Sequence, residues 1–155
     1  MAPLGFGLGF ILVAAALPCS PSLVPTASTL RLGTAVRCDV DGDGVADRIL
    51  VHGQGSRGGW GPFDDFEVRI GKARLAGSGW GVDSTFALVD IDRADARLEI
   101  AITQQGASDE YETRFFTLDG DSILAMGELP GTDEMTIDGS GIVRTMARGR
   151  ILHTW

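Results

Sequence analysis

Asp39-Val40-Asp41-Gly42-Asp43-Gly44-Val45-Ala46-Asp47 runs, through Arg48, into the apolar stretch Ile49-Leu50-Val51. Four carboxylates, those of Asp39, Asp41, Asp43 and Asp47, fall at alternating or near-alternating positions around Gly42 and Gly44. A hard divalent cation takes about six to eight oxygens at about 2.3–2.6 Å. A chain supplies them locally by curling so that every second side chain turns inward, and glycine eases the curl because positive φ costs it nothing. The four acids, with the backbone carbonyl of Val45, therefore form a candidate calcium-ligating set. A solvated turn also favours Asp and Gly. It has no use, however, for four like charges that repel one another without a counter-ion. The segment is not an EF-hand, because the place of that motif's closing bidentate Glu is taken by Leu50, inside a β-branched run.

A second acid-rich segment, Asp90-Ile91-Asp92-Arg93-Ala94-Asp95-Ala96-Arg97-Leu98-Glu99, echoes the first and again leads into a strand-like run, Ile100-Ala101-Ile102. Asp90, Asp92, Asp95 and Glu99 are the candidate ligands there, at a spacing one residue longer and without a glycine. The competing reading pairs these acids with Arg93 and Arg97 on an exposed turn, an arrangement of little energetic worth. Beyond the loops the two regions keep the same order: acid loop, strand, connection, strand, tight turn, strand. In the first, the strands fall at 48–52, 66–70 and 73–76 around a Gly71-Lys72 turn. In the second they fall at 99–103, 111–118 and 122–126 around Asp119-Gly120, and Asp-Gly between apolar runs is a hairpin signal. A further hairpin surrounds Asp138-Gly139-Ser140-Gly141. No window beyond Arg31 shows helical periodicity, so the expected class is all-β, with repeat one at about 35–81, repeat two at about 86–131 and a terminal hairpin at 132–155.

These residues resemble the FG-GAP and VCBS-type repeats of extracellular β-propellers, including those of integrin α-chains. The likeness is specific at Asp39 to Asp47 with Ile49-Leu50-Val51 and looser at Asp90 to Glu99 with Ile100-Ala101-Ile102. The resemblance implies propeller-blade-like antiparallel sheets with an Asp-rich calcium loop between strands. The segments Gly106-Ala107-Ser108-Asp109 and Arg148-Gly149-Arg150-Ile151-Leu152-His153-Thr154-Trp155 are similar to secreted bacterial proteins with such repeats. Propellers have about four to eight blades, so a chain of 155 residues implies an incomplete propeller, a sandwich-like pair of sheets, or a unit that completes itself by oligomerising.

Composition narrows the function. The net charge of -8 opposes nucleic-acid binding, which draws its affinity from Lys and Arg. Eight of the 21 acids sit in the two candidate loops, so the acidity is local metal chemistry rather than a general acidic surface. Residues 4–17 form an apolar run of 14, short for a membrane span and suited to a signal-peptide core, with Ala14-Ala15-Ala16 as a small-residue cleavage site. The expectation is a signal peptide at 1–17, a Pro-rich linker at 18–34 and a β-repeat domain at 35–155, in a secreted, periplasmic or cell-envelope protein. Cys19 and Cys38 are either a disulfide or free thiols. Acylation of Cys19 is disfavoured by Pro18, since a small residue is expected there.

Catalysis finds little support. The chain has no Gly-x-Ser-x-Gly, His-Glu-x-x-His, phosphate-loop or dinucleotide motif. His52 and His153 read as strand or surface residues. Asp64, Asp65 and Glu67, or Asp109, Glu110 and Glu112, are the acids a glycosidase-like hydrolase would draw on, which makes hydrolysis the alternative. Trp60, Trp80, Phe63 and Phe66 suit core packing or a stacking surface. No catalytic residue is assigned. The expected function is a calcium-binding module for adhesion, binding or envelope structure, with an extracellular protein or carbohydrate as partner.

Overall fold

The computed structural model describes residues 17–18, 28–54, 65–78, 83–105, 111–131, 135–147 and 150–154. Residues 1–16 of the leader with its cleavage site, Cys19, Trp60, Trp80, Phe63, Asp64, Asp109 and Glu110 lie outside the described residues. Among those described there is no helix. The short strands β1 (Leu17–Pro18), β2 (Ser28–Thr29) and β3 (Val36–Cys38) lead into β4 (Asp47–Gln54), β5 (Asp65–Ile70) and β6 (Ala73–Ser78). There follow β7 (Asp83–Val89), β8 (Glu99–Gln105), β9 (Tyr111–Asp119) and β10 (Ser122–Gly131), then β11 (Met135–Ile137), β12 (Val143–Ala147) and β13 (Arg150–Thr154).

Among the described residues three open sheets result, ordered β1-β3-β4-β5-β6, β10-β9-β8-β7-β2 and β11-β12-β13, and none closes on itself. The first two each contain a four-stranded antiparallel meander of consecutive strands, β3 to β6 and β7 to β10. The all-β expectation holds. The sequence reading had not marked β3 or β7, the first strand of each meander. β3 is three residues long. β7 alternates weakly because Phe86, Ala87, Leu88 and Val89 are all buried.

That continuous burial has a simple cause: the second sheet is covered on both faces. One core contains Ile49, Val51, Phe66, Val68 and Ile70 of the first sheet together with Phe86, Leu88, Ile100, Ile102 and Phe116 of the second. The other contains Ala87, Val89, Ala101, Phe115 and Leu129 of the second sheet with Ile137 and Val143 of the third. Side chains alternate between faces along a strand, so in β8 Ile100 and Ile102 face one neighbour and Ala101 the other. Each large apolar side chain buried this way contributes about 1.5–3 kcal/mol. Gly77 lies opposite Phe66, whose ring occupies the space a Cβ at Gly77 would need. The same ring meets Phe86 edge-on, with centroids 5.2 Å apart. The first and second sheets are thereby locked together. Cys38, buried in this core, is disulfide-bonded, and the sequence offers one other cysteine, Cys19.

Candidate metal centre

The first acid loop joins β3 to β4. Its shape is drawn by its own carboxylates. Asp39 accepts the backbone N–H of Gly42 on Oδ1 and of Gly44 on Oδ2, both at 2.9 Å. Asp41 accepts from Asp43 N–H at 3.2 Å, and Asp43 accepts from Val45 N–H at 2.7 Å. Such local side-chain-to-backbone bonds are what make Asp a turn former. Gly42 and Gly44 sit at φ of 77° and 84°, in the left-handed region where glycine is favoured. The outcome is a group in which one carboxylate oxygen each from Asp39, Asp41 and Asp43 lies within 4.8 Å of the others. Three hard oxygen donors converging from alternate residues are suited to a divalent cation, and these three residues could hold one.

Asp47 is placed differently from the triad. Asp47 Oδ2 accepts the N–H of Val40 at 3.1 Å, so its carboxylate ties the entry of the loop to its exit. Its pKa is raised by partial burial and by the charges of Asp41, Asp43 and Asp39, against a lowering by the Val40 N–H. Val45 is exposed.

The second loop, between β7 and β8, repeats this design. Glu99 Oε2 accepts the N–H of Ile91 at 2.9 Å, as Asp47 does for Val40. Asp92 accepts from Ala94 N–H and Asp95 from Arg97 N–H, each at 2.9 Å. Glu99 is only 5% exposed, and burial raises its pKa, with smaller upward pushes from Asp95 and Asp90. Asp90 is also raised by burial, with Arg93 offsetting part of the effect, and its Oδ1 has no hydrogen-bond partner among the described residues. Asp90 and Asp95 share with Asp39 a cleft of about 290 Å³ between the two loops.

A third copy lies between β11 and β12, where the sequence reading saw only a hairpin turn. Asp138-Gly139-Ser140-Gly141 matches Asp41-Gly42-Asp43-Gly44 in the conformation of its glycines: φ is 76° and 83°, against 77° and 84°. Asp138 Oδ1 accepts the Ser140 N–H at 2.9 Å, matching the bond of Asp41. The identical Asp-Gly-x-Gly spacing was the available signal. The buried residues Val40, Ile91 and Ile137 precede the equivalent aspartates.

The three loops are stitched in a row. Leu98 N–H donates to Val40 C=O at 2.9 Å, Arg93 N–H to Gly139 C=O at 3.0 Å, and Gly141 N–H to Ile91 C=O at 2.8 Å. They differ in what meets their negative charge. In the third loop, Arg144 Nη1 donates to Asp138 Oδ2 at 2.9 Å. Hydrogen bonds from Ser140, with Arg144 beside them, hold that carboxyl at about 2. In the second loop Arg93 offsets part of the rise at Asp90, and no ion pair among the described residues reaches that loop's acids. No ion pair among the described residues reaches Asp39, Asp41 or Asp43.

No protein family, curated protein or solved structure matches the chain.

Proposed function

We propose that this chain is a secreted, calcium-stabilised β-repeat module that binds or anchors rather than catalyses, and that Asp39, Asp41 and Asp43 are the principal calcium ligands. One observation carries the reading: of three loops with the same turn, the first gathers three carboxylates, and no ion pair among the described residues reaches them. Calcium is preferred over a softer ion because every side-chain donor is a carboxylate oxygen, with neither imidazole nor thiolate in the group. The four-stranded meanders, each with its acid loop after the first strand, favour the blade-like arrangement that the FG-GAP resemblance implies. The disulfide at Cys38 suits an oxidising compartment, in keeping with an exported protein.

The metal acts on the whole fold in this proposal, since Val40 C=O, at the heart of the first loop, accepts from Leu98 of the second. An ion that binds only the folded state stabilises it by mass action, by about 2.7 kcal/mol when free calcium is about 100 times its Kd. For a domain of this size that raises Tm by roughly 10 °C. Thermal melting in calcium and in EDTA is the test, alongside Asp41→Asn with Asp43→Asn. Asparagine keeps the side-chain oxygen that shapes the turn but discards the charge. The wild type is expected to melt higher in calcium and the double variant at one temperature in both. Equal melting of the wild type in calcium and EDTA would overturn the proposal.

A further inference from the structure

The first sheet has a second face, turned away from the core, and on it four consecutive strands each carry an arginine. Cys38, Ile49, Val51, Phe66, Val68, Ile70 and Ala73 point into the core. Strand alternation thus sends Arg37, Arg48, Arg69 and Arg74 outward. Register aligns them in a row: Arg37 lies directly opposite Arg48, and Arg69 directly opposite Arg74. Leu50 is opposite Arg69, which makes Arg48 the diagonal neighbour of Arg69. Like charges facing each other across strands destabilise a sheet, and here the sheet accepts two such pairs side by side. Arg69 is ion-paired with Glu67. Arg37, Arg48 and Arg74 are exposed and have no acidic partner among the described residues. In a chain of net charge -8 with 13 basic residues, four arginines on one face are a concentration that the fold itself does not require.

We propose that this arginine row is the docking surface for a linear carboxylated polysaccharide. The inference deepens the binding role proposed above and rests on it for the extracellular setting. Successive strands are about 4.8 Å apart, so the row presents one cation per strand over a length on the order of 15 Å. A chain of sugars bearing one carboxylate per unit or per few units matches that sparse, linear pattern, and guanidinium forks pair bidentately with carboxylates. Duplex DNA carries a charge about every 1.7 Å, a density that the chain's net negative charge opposes. A bilayer would meet the whole face at once, including exposed Asp65 and half-buried Glu67. Of the large exposed apolar side chains, Leu124 and Met126 belong to β10 of the second sheet and offer this face no anchor.

The test is native electrophoresis of the full chain, in calcium, through gels containing hyaluronate. Neutral dextran, single-stranded DNA and phosphatidylserine vesicles serve as parallel probes. The wild type is expected to be retarded by hyaluronate, less so as salt rises, and Arg48→Gln with Arg74→Gln to weaken the apparent affinity at least about tenfold, with melting no lower than the wild type's because two like-charge pairs are relieved. Asp41→Asn with Asp43→Asn should still be retarded, so a failure of the calcium assignment, read in the EDTA melt, stays separate from a failure of the row. Absent retardation, or equal retardation of the arginine variant, would overturn the proposal. So would tighter binding to DNA or vesicles that the same variant abolishes.

Discussion

Two glycines of one loop do different work. Gly42 and Gly44 both have positive φ, but a Cβ at Gly42 would lie 2.9 Å from Cβ and from the carbonyl oxygen of Ala96, whereas one at Gly44 would meet nothing within 4 Å. Left-handed backbone costs an L-residue about 1–2 kcal/mol. Gly44→Ala is therefore expected to cost about 1 kcal/mol and Gly42→Ala about 3 kcal/mol, since the second must also push apart the first and second loops. Urea denaturation of both variants checks the order; equal losses would show that the loops are not in contact there. Glu99 supplies a second residue-scale prediction. Its carboxylate is buried and accepts from Ile91 N–H, and its folded pKa is raised. A raised acid pKa means that the folded state binds the proton more tightly than the unfolded state. The stabilisation is therefore complete below the ordinary carboxylate range and is lost as pH rises through the folded value. Asp47 and Asp90 act in the same direction. Metal-stripped protein should accordingly melt higher near pH ~4–5 than at neutrality. Glu99→Gln, which keeps the acceptor without the charge, should flatten that dependence, while Glu99→Ala should cost about 1–3 kcal/mol by leaving the Ile91 N–H unpaired. Melting curves across pH decide both.

At the scale of elements, the acid loop is one design used three times with different counter-charges. Each copy places a buried apolar residue, then an aspartate whose Oδ1 accepts the N–H two residues on. What varies is the cation, and Arg144 at the third loop does for Asp138 what a bound ion is proposed to do for the first. Arg144→Gln is expected to remove the charge-assisted bond to Asp138 and to raise that carboxyl from about 2 toward its ordinary value. NMR titration of the Asp138 carboxyl reads the shift, and an unmoved value would show that Ser140 alone sets it. The strands that read clearly from the sequence were those between strong turn signals, such as β9 and β10 around Asp119-Gly120. β10 runs further than its apolar stretch implied, because a register shift between Ala125 and Gly127 lets Glu128 to Gly131 continue pairing with β9. Nothing local in the sequence fixes that bulge.

At the scale of the whole molecule, the second sheet is stable as a middle layer because both its faces are covered. Deleting 132–155 would remove the third sheet and uncover Val89, Phe115 and Leu129, now at 6%, 1% and 2% exposure. Each loses about 1.5–3 kcal/mol of burial from a fold whose total stability is of the order of 5–15 kcal/mol. The truncated chain is expected to aggregate or to bind a hydrophobic dye, and size-exclusion chromatography with dye fluorescence checks it. A monomeric, dye-silent product would mean that the third sheet is dispensable.

The sequence by itself determined the all-β class and the local curl of the first acid loop, because strand alternation, Asp-Gly turns and side-chain-to-backbone bonds act over a few neighbouring residues. Only the tertiary structure decided that Asp39, Asp41 and Asp43 stand together while Asp47 turns to Val40, and that Asp138 belongs to a third loop neutralised by Arg144. It alone aligned Arg37, Arg48, Arg69 and Arg74 in one row. Those outcomes depend on register and on which sheet covers which face, and both are fixed by burial between residues far apart in the chain.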